Sequence, residues 1–183
     1  MNGNGKKILL VEDEALIALD EESVLSRHGY TVVTELTGED AVARALGDPG
    51  IDLVLMDIDL GRGMDGTEAA RLILLERDVP VVFLSSHTEP HVVERTEDIT
   101  SYGYVVKHSG ETVLIASIKM AFKLFDARLR EKEKERDLRR MMEYNETLVE
   151  ASPAFIVAIS PEGKTIMMND SMLSALGYEL EEV

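Results

Sequence analysis

Charged and hydroxyl side chains stand directly after short apolar runs at four places in this chain. Ile8 to Val11 runs into Glu12 and Asp13, Leu53 to Met56 into Asp57, Val81 to Leu84 into Ser85 and Ser86, and Tyr104 to Val106 into Lys107. Carboxylates held within reach of one another repel unless a hard cation lies among them, and Mg²⁺ takes oxygen ligands in an octahedral array while keeping several waters. Glu12, Asp13 and Asp57 supply such a donor set. A carboxylate in that setting is also a nucleophile toward phosphorus. Its attack gives an acyl phosphate, with the metal and an ammonium, here Lys107, neutralising charge on the transferring group. The Ser85 hydroxyl is placed to donate to a phosphoryl oxygen, which would tie the loop after it to the presence of that group.

Taken singly, each of these residues has a plainer explanation. An acid after a strand is commonly a helix cap, a serine there a turn residue, and a lone lysine a solvated charge. The coincidence is what carries the reading, because unrelated caps would seldom supply an acid pair, an acid, a hydroxyl and a lysine, in that order, to four of five strand ends.

The elements that must position them follow from the pattern. Residues 6 to 128 alternate short β-type runs with helical stretches, which predicts a parallel sheet covered on both faces. The strands are Ile8 to Val11, Thr31 to Thr34, Leu53 to Met56, Val81 to Leu84 and Tyr104 to Val106. Between them, apolar residues recur at three and four spacing: Leu16, Leu19, Val24 and Leu25, then Ala41, Val42, Ala45 and Leu46, then Ala69 to Leu75. A poorly amphipathic fourth helix is expected around His91 to Ile99. In open α/β sheets, ligands bind outside the carboxyl ends of the strands, so the four clusters should meet along one edge.

The totals narrow the field further. A chain of 183 residues holds one full domain plus an appendage. A formal charge of −16 disfavours direct binding to nucleic acid or anionic lipid. With no cysteine there is neither a disulfide framework nor a thiolate metal site. No apolar run approaches bilayer length and the start lacks a signal-peptide core, so a cytoplasmic protein is expected.

The helix beginning near Glu111 carries Leu114, Ile118, Phe122, Phe125 and Leu129 on one side, and no Pro or Gly follows until past Ser152. Residues 130 to 137, REKEKERD, are charged all round, so one long helix should leave the domain there. Leu138, Met141, Met142, Asn145 and Leu148 then return with near-heptad spacing, open to reading as a solvated linker or as a pairing helix. From Ser152, SPAFIVAIS reads as a strand, PEG as a turn and KTIMMN as a second strand, followed by a short helical pattern. A hairpin with one helix is too small to fold alone, so the chain is expected to stop inside a domain. The expected organisation is a domain over 1–128, a helical linker over 129–150 and a partial domain over 151–183.

The segments KKILLVEDE, IDLVLMDIDLGRGMDG, VPVVFLSSH and GYVVK resemble the response-regulator receiver domains of two-component signalling. That resemblance implies a flavodoxin-like, doubly wound (βα)5 parallel sheet in the order 2-1-3-4-5. It implies Asp57 as phosphoacceptor, Glu12 and Asp13 as the Mg²⁺ acids, and the backbone carbonyl of Asp59 as a further metal contact. Ser85 matches the switch hydroxyl, Lys107 the invariant lysine, and Tyr104 the aromatic position that swings inward on activation; His87 falls where the family tunes hydrolysis of the acyl phosphate. The phosphoryl donor would be a histidine kinase or phosphotransfer protein, and a homodimer is expected. Where the family has proline after the lysine, this chain has His108, so the Lys107–His108 bond should be trans and the loop is free to carry Lys107 differently. The tail LVEASPAFIVAISPEGKTIMMNDSMLSALGY, with Asn169 after its second strand, resembles the opening of a PAS sensor domain. This order resembles the N-terminal part of certain sensor histidine kinases, although these residues hold no phosphoacceptor-histidine box and no ATP-binding glycine motif.

Two other readings compete. Asp57 and Asp59 form a DxD after an apolar strand, which resembles haloacid-dehalogenase-like phosphatases, but Leu60 and the late position of the strand depart from that pattern. An interaction module without chemistry is the other.

Overall fold

A computed structural model describes residues 5–61, 63–86, 99 and 102–177. Its first unit, residues 1–128, alternates β1 (Lys7–Val11), α1 (Ala15–Arg27), β2 (Thr31–Glu35), α2 (Gly38–Gly47), β3 (Ile51–Asp57), α3 (Gly66–Glu76), β4 (Val81–Ser85) and β5 (Gly103–Val106). Helix α4 (Glu111–Glu150) begins in this unit. The helix expected at His91 to Ile99 lies outside the described residues, as does His87; Ile99 itself is buried.

All five strands are parallel, in the order β2-β1-β3-β4-β5. Alternation along each strand sends side chains to opposite faces, so every strand end feeds two cores. On one face Leu9, Val11, Val54, Met56 and Phe83 meet Ala41, Ala45, Ala69, Ala70 and Ile73 of α2 and α3. On the other, Ile8, Leu10, Leu53, Leu55 and Leu84 meet Ala18 and Leu25 of α1 and Leu114, Ile118 and Ala121 of α4. Strands covered on both faces read as continuous apolar runs, which is why β1, β3 and β4 were plain in the sequence.

Polar caps fix where the helices start. Thr37 accepts from the Asp40 amide at 3.1 Å to begin α2, and Asp65 accepts from the Glu68 amide at 2.9 Å to begin α3. The Arg77 guanidinium gathers the carbonyls of Ala45, Asp48, Pro49 and Ile51, closing the α2–β3 turn beneath the sheet.

The helix faces differ from expectation on four helices. Leu16 and Leu19 are exposed, at 84% and 63%; α1 turns Ala18, Val24 and Leu25 inward instead. Apolar residues lie on both sides of this helix, and the short Ala18 allows the closer approach to the sheet. Leu46 of α2 and Leu75 of α3 are likewise exposed. Leu129, expected on the inward side of α4, is exposed too.

The second unit, residues 129–183, holds the rest of α4, an antiparallel hairpin of β6 (Val157–Ile159) and β7 (Thr165–Met168), and α5 (Asp170–Leu176). Gly163, at φ +83°, makes the turn between the strands. Asn169 is fully buried and fully used. Its amide nitrogen donates to the carbonyls of Val149, Ser152 and Ala154, while its Oδ1 accepts from the amides of Ile156 and Met172. One side chain thereby ties the end of α4, the start of the hairpin and the N-terminus of α5. Among the described residues, no helix is long and apolar enough to cross a membrane.

Candidate functional site

The parallel sheet sets its strand C-termini side by side, and four of the sequence candidates meet there. One oxygen from each of Glu12, Asp13 and Asp57 lies within 4.8 Å of the others. Glu12 and Asp57 are buried and Asp13 is exposed, so the cluster opens to solvent on one side. The Lys107 ammonium sits 2.7 Å from Asp57 Oδ2, as a hydrogen bond, and 2.6 Å from Glu12 Oε2, as an ion pair. The other Asp57 oxygen accepts from the backbone N–H of Asp59 at 3.2 Å. Donors limited to carboxylate oxygen, converging from two strand ends, fit a hard cation such as Mg²⁺ and no soft metal.

Backbone geometry explains how Lys107 arrives. Its amide donates to the Ser85 carbonyl at 2.8 Å, which extends the β4–β5 ladder by one residue and aims the side chain at β1 and β3. The next residue, His108, is at φ +64°, and no cis bond occurs among the described residues. A non-glycine residue in the left-handed region turns the chain toward α4 without proline. The Lys107–His108 bond is trans, and the Lys107 ammonium reaches the acids.

Ser85 is fully buried at the end of β4, and Tyr104 is half-buried against the core face that contains Phe83. Asp59 brings its backbone to the site while its side chain is exposed. Across the β3–α3 loop, the amide of Gly66 donates to the Ile58 carbonyl at 3.0 Å, so the start of α3 is pressed against the strand end that bears Asp57.

Burial and charge act in opposition here. Burial pushes Asp57 up to about 6, with Lys107 pulling down and Glu12 pushing further up. For Lys107, burial favours the neutral amine, but hydrogen bonds and charges from Asp57 and Glu12 outweigh it and hold the group above the ordinary lysine value. At neutral pH the pair is therefore ionised, with the proton on the lysine.

Sequence reasoning missed Glu21. This α1 residue lines a cavity of about 250 Å³ together with Ile17, Val24, Lys107 and His108, and among the described residues its Oε2 has no hydrogen-bond partner. Burial first, then the charge of Glu12, raises it to about 7. The signal was present: Ala18, Glu21, Val24 and Leu25 share the inward stripe at helical spacing, so an acid stood on an apolar face.

A pH dependence follows from Glu21. The folded chain holds its proton up to about pH 7 and the unfolded chain releases it near 4.5, so stability from this residue falls across that interval and stays lost above it. Glu21→Gln should therefore match the parent near pH 4.5 and exceed it above pH 7 by about 1–2 kcal/mol, discounted because water still reaches the side chain. Urea midpoints at the two pH values check this; equal midpoints at both would contradict it.

Comparison with known proteins gives one consistent result. The family model for the response regulator receiver domain matches residues 8–119. The transcriptional regulatory protein PdtaR of Mycobacterium tuberculosis is 38% identical over 122 residues, which cover 66% of this chain and 58% of that protein. The chain thus spans less than two thirds of that curated relative. The chemotaxis protein CheY of Treponema pallidum is 31% identical over 109 residues, covering 58% of this chain and 75% of CheY. Among solved structures, the N-terminal domain of a response regulator/sensory box/GGDEF three-domain protein from Carboxydothermus hydrogenoformans is 48% identical with a TM-score of 0.64, over 68% of this chain and 99% of that one.

Proposed function

Because the chain belongs to the response regulator receiver family, whose members are phosphoacceptor modules of two-component systems, we propose that Asp57 is the residue that takes the phosphoryl group. The observation that carries this is the Lys107 ammonium 2.7 Å from Asp57 at the open edge of the acid cluster. An Asp57 oxygen attacks phosphorus, the bond from phosphorus to the donor breaks, and its electron pair leaves with the donor. The donor would be a phosphohistidine of a histidine kinase or phosphotransfer protein. Lys107 faces the charge that gathers on the phosphoryl oxygens, and it stays protonated because its two carboxylate partners favour the cation. Ser85 donates to a phosphoryl oxygen, and Tyr104, half-buried one strand over, follows the loop that Ser85 begins. Glu12, Asp13 and Asp57, with the backbone carbonyl of Asp59, would hold Mg²⁺, which when bound supplies further charge neutralisation.

The family match does not favour the phosphatase or the inert-module reading. Residues 1–128 are the receiver, 129–150 a helical linker, and 151–183 the beginning of a PAS-type sensor domain. In support, the tail forms a hairpin and a helix joined by Asn169, and the Carboxydothermus relative carries a sensory box beside its response regulator. The protein works as a cytoplasmic homodimer in which α4 passes the state of Asp57 to the sensor segment, and it makes no direct contact with nucleic acid. Beryllofluoride with Mg²⁺ should give one stable adduct with the parent chain. Unchanged binding by an Asp13→Ala, Asp57→Asn double variant, or turnover of phosphate esters, would overturn the assignment.

A further inference from the structure

Helix α4 buries Leu114, Ile115, Ile118 and Ala121 on the sheet and leaves a second apolar stripe uncovered. Val113, Met120 and Leu124 in the first unit, and Leu138, Met141 and Leu148 in the second, are each 45% to 64% exposed. Their steps of seven, four, fourteen, three and seven residues all fall in one heptad frame without a skip. In that frame Leu124, Leu138 and Asn145 occupy a positions, and Val113, Met120, Met141 and Leu148 occupy d positions. Exposed Met142 and Tyr144 flank the seam at e and g, and Leu129 alone of the large exposed apolar residues lies behind it. A strict seven-residue repeat drifts about 20° per heptad on a straight helix, so over this length only a partner wound left-handedly around it keeps the stripe covered.

We infer that this stripe is the seam of a parallel, in-register, two-stranded coiled coil with a second copy of this chain, and that the seam starts within the receiver at Val113. The inference rests on the homodimer put forward above and adds its surface, orientation and register. A second copy is the occupant because the pattern is self-complementary. Asn145 at an a position meets its own counterpart only in a parallel, in-register pair, where the two amides satisfy each other; an antiparallel pair would set it against Met120. Arg130 at g then faces Glu135 at e of the other copy. The like-charged partners Lys123 and Arg128 are kept apart because Arg128 is already held by Asp78 and Tyr102. The seam is weakest at its centre, where Ala127, Glu131 and Lys134 replace large apolar residues.

The chain has no cysteine, so single replacements report on the seam directly. In the full chain, Met120→Cys and Met141→Cys should form interchain disulfides under mild oxidation roughly tenfold faster than Glu143→Cys, which lies at f on the opposite side. Light scattering on the parent chain accompanies the test. A dimer in which neither variant cross-links, or in which Met141→Cys joins only to Leu124→Cys in a mixed sample, overturns the seam or its orientation while the homodimer stands. A dimer that cross-links at Met141→Cys but not at Met120→Cys overturns the start within the receiver. A monomer overturns both the seam and the homodimer.

Discussion

Lys107→Met is expected to slow phosphorylation of the chain by acetyl phosphate by about 10²-fold or more, the usual loss when one preorganised charge facing the reacting group is removed. It should also destabilise the fold. Among the described residues Lys107 is the cation that sits on both buried acids, Glu12 and Asp57, and removing one partner of a buried pair costs about 3–5 kcal/mol. The carboxylates can take up protons instead, which lowers the expected loss to about 2–4 kcal/mol at pH 8. The sign of the pH dependence is fixed by Asp57. Its folded value is already raised to about 6 with the lysine in place, and losing the lysine removes two of the three contributions that pull it down, leaving the Asp59 backbone hydrogen bond. Stability then goes on falling at pH values where the parent has levelled off, so the two proteins diverge mainly above pH 6. Urea midpoints between pH 5 and pH 8 read the divergence. A constant gap across that range would mean that Lys107 is not coupled to Asp57.

Gly66→Ala is the second large effect, and it owes nothing to backbone freedom. Gly66 opens α3 and is not among the residues with positive φ, so alanine suits its conformation. A Cβ there, however, would lie 1.8 Å from the Asp57 carbonyl oxygen and 3.0 Å from Cγ of Met56. Backbone on one side and a core side chain on the other leave no flexible group to yield. Either the start of α3 or the end of β3 must move by more than an ångström. Overpacking of this kind costs about 3 kcal/mol, well above the gain of about 1 kcal/mol that alanine brings to a helix. Because the displaced group is the backbone of Asp57, the proposed phosphoacceptor, the rate of phosphorylation should fall along with stability. Gly47→Ala, at a helical glycine with nothing within 4 Å, serves as the control and should be neutral or slightly stabilising. Equal stability of the two variants would contradict the contact at Gly66.

Much of this site was legible from order alone. Buried parallel strands advertise themselves as apolar runs, and the residue that ends each run lands on the same edge, so the meeting of Glu12, Asp13, Asp57 and Lys107 could be expected without any knowledge of packing. What escaped depends on tertiary distance. Only the approach of α3 to β3 gives Gly66 its steric role. Glu21 drew no notice in the sequence, although its neighbours on the stripe marked the position as inward. Leu16 and Leu19 failed in the opposite sense: α1 is apolar on two sides, and periodicity cannot choose between faces when a small residue such as Ala18 allows the closer contact. The far half of α4 looked like a separate short run of heptads in sequence. Knowing which residues of its first half are uncovered is what joins the two halves into one frame.

Site mapping of the phosphorylated residue tests the central claim most directly. The chain is treated with acetyl phosphate and Mg²⁺, the acyl phosphate is reduced with borohydride, and the peptides are identified by mass spectrometry. The label should fall on Asp57, which ends β3 beside Lys107, and should vanish in Asp57→Asn. A label on Asp59 or Asp65 in the following loop, or one that persists undiminished in Asp57→Asn, would contradict the account.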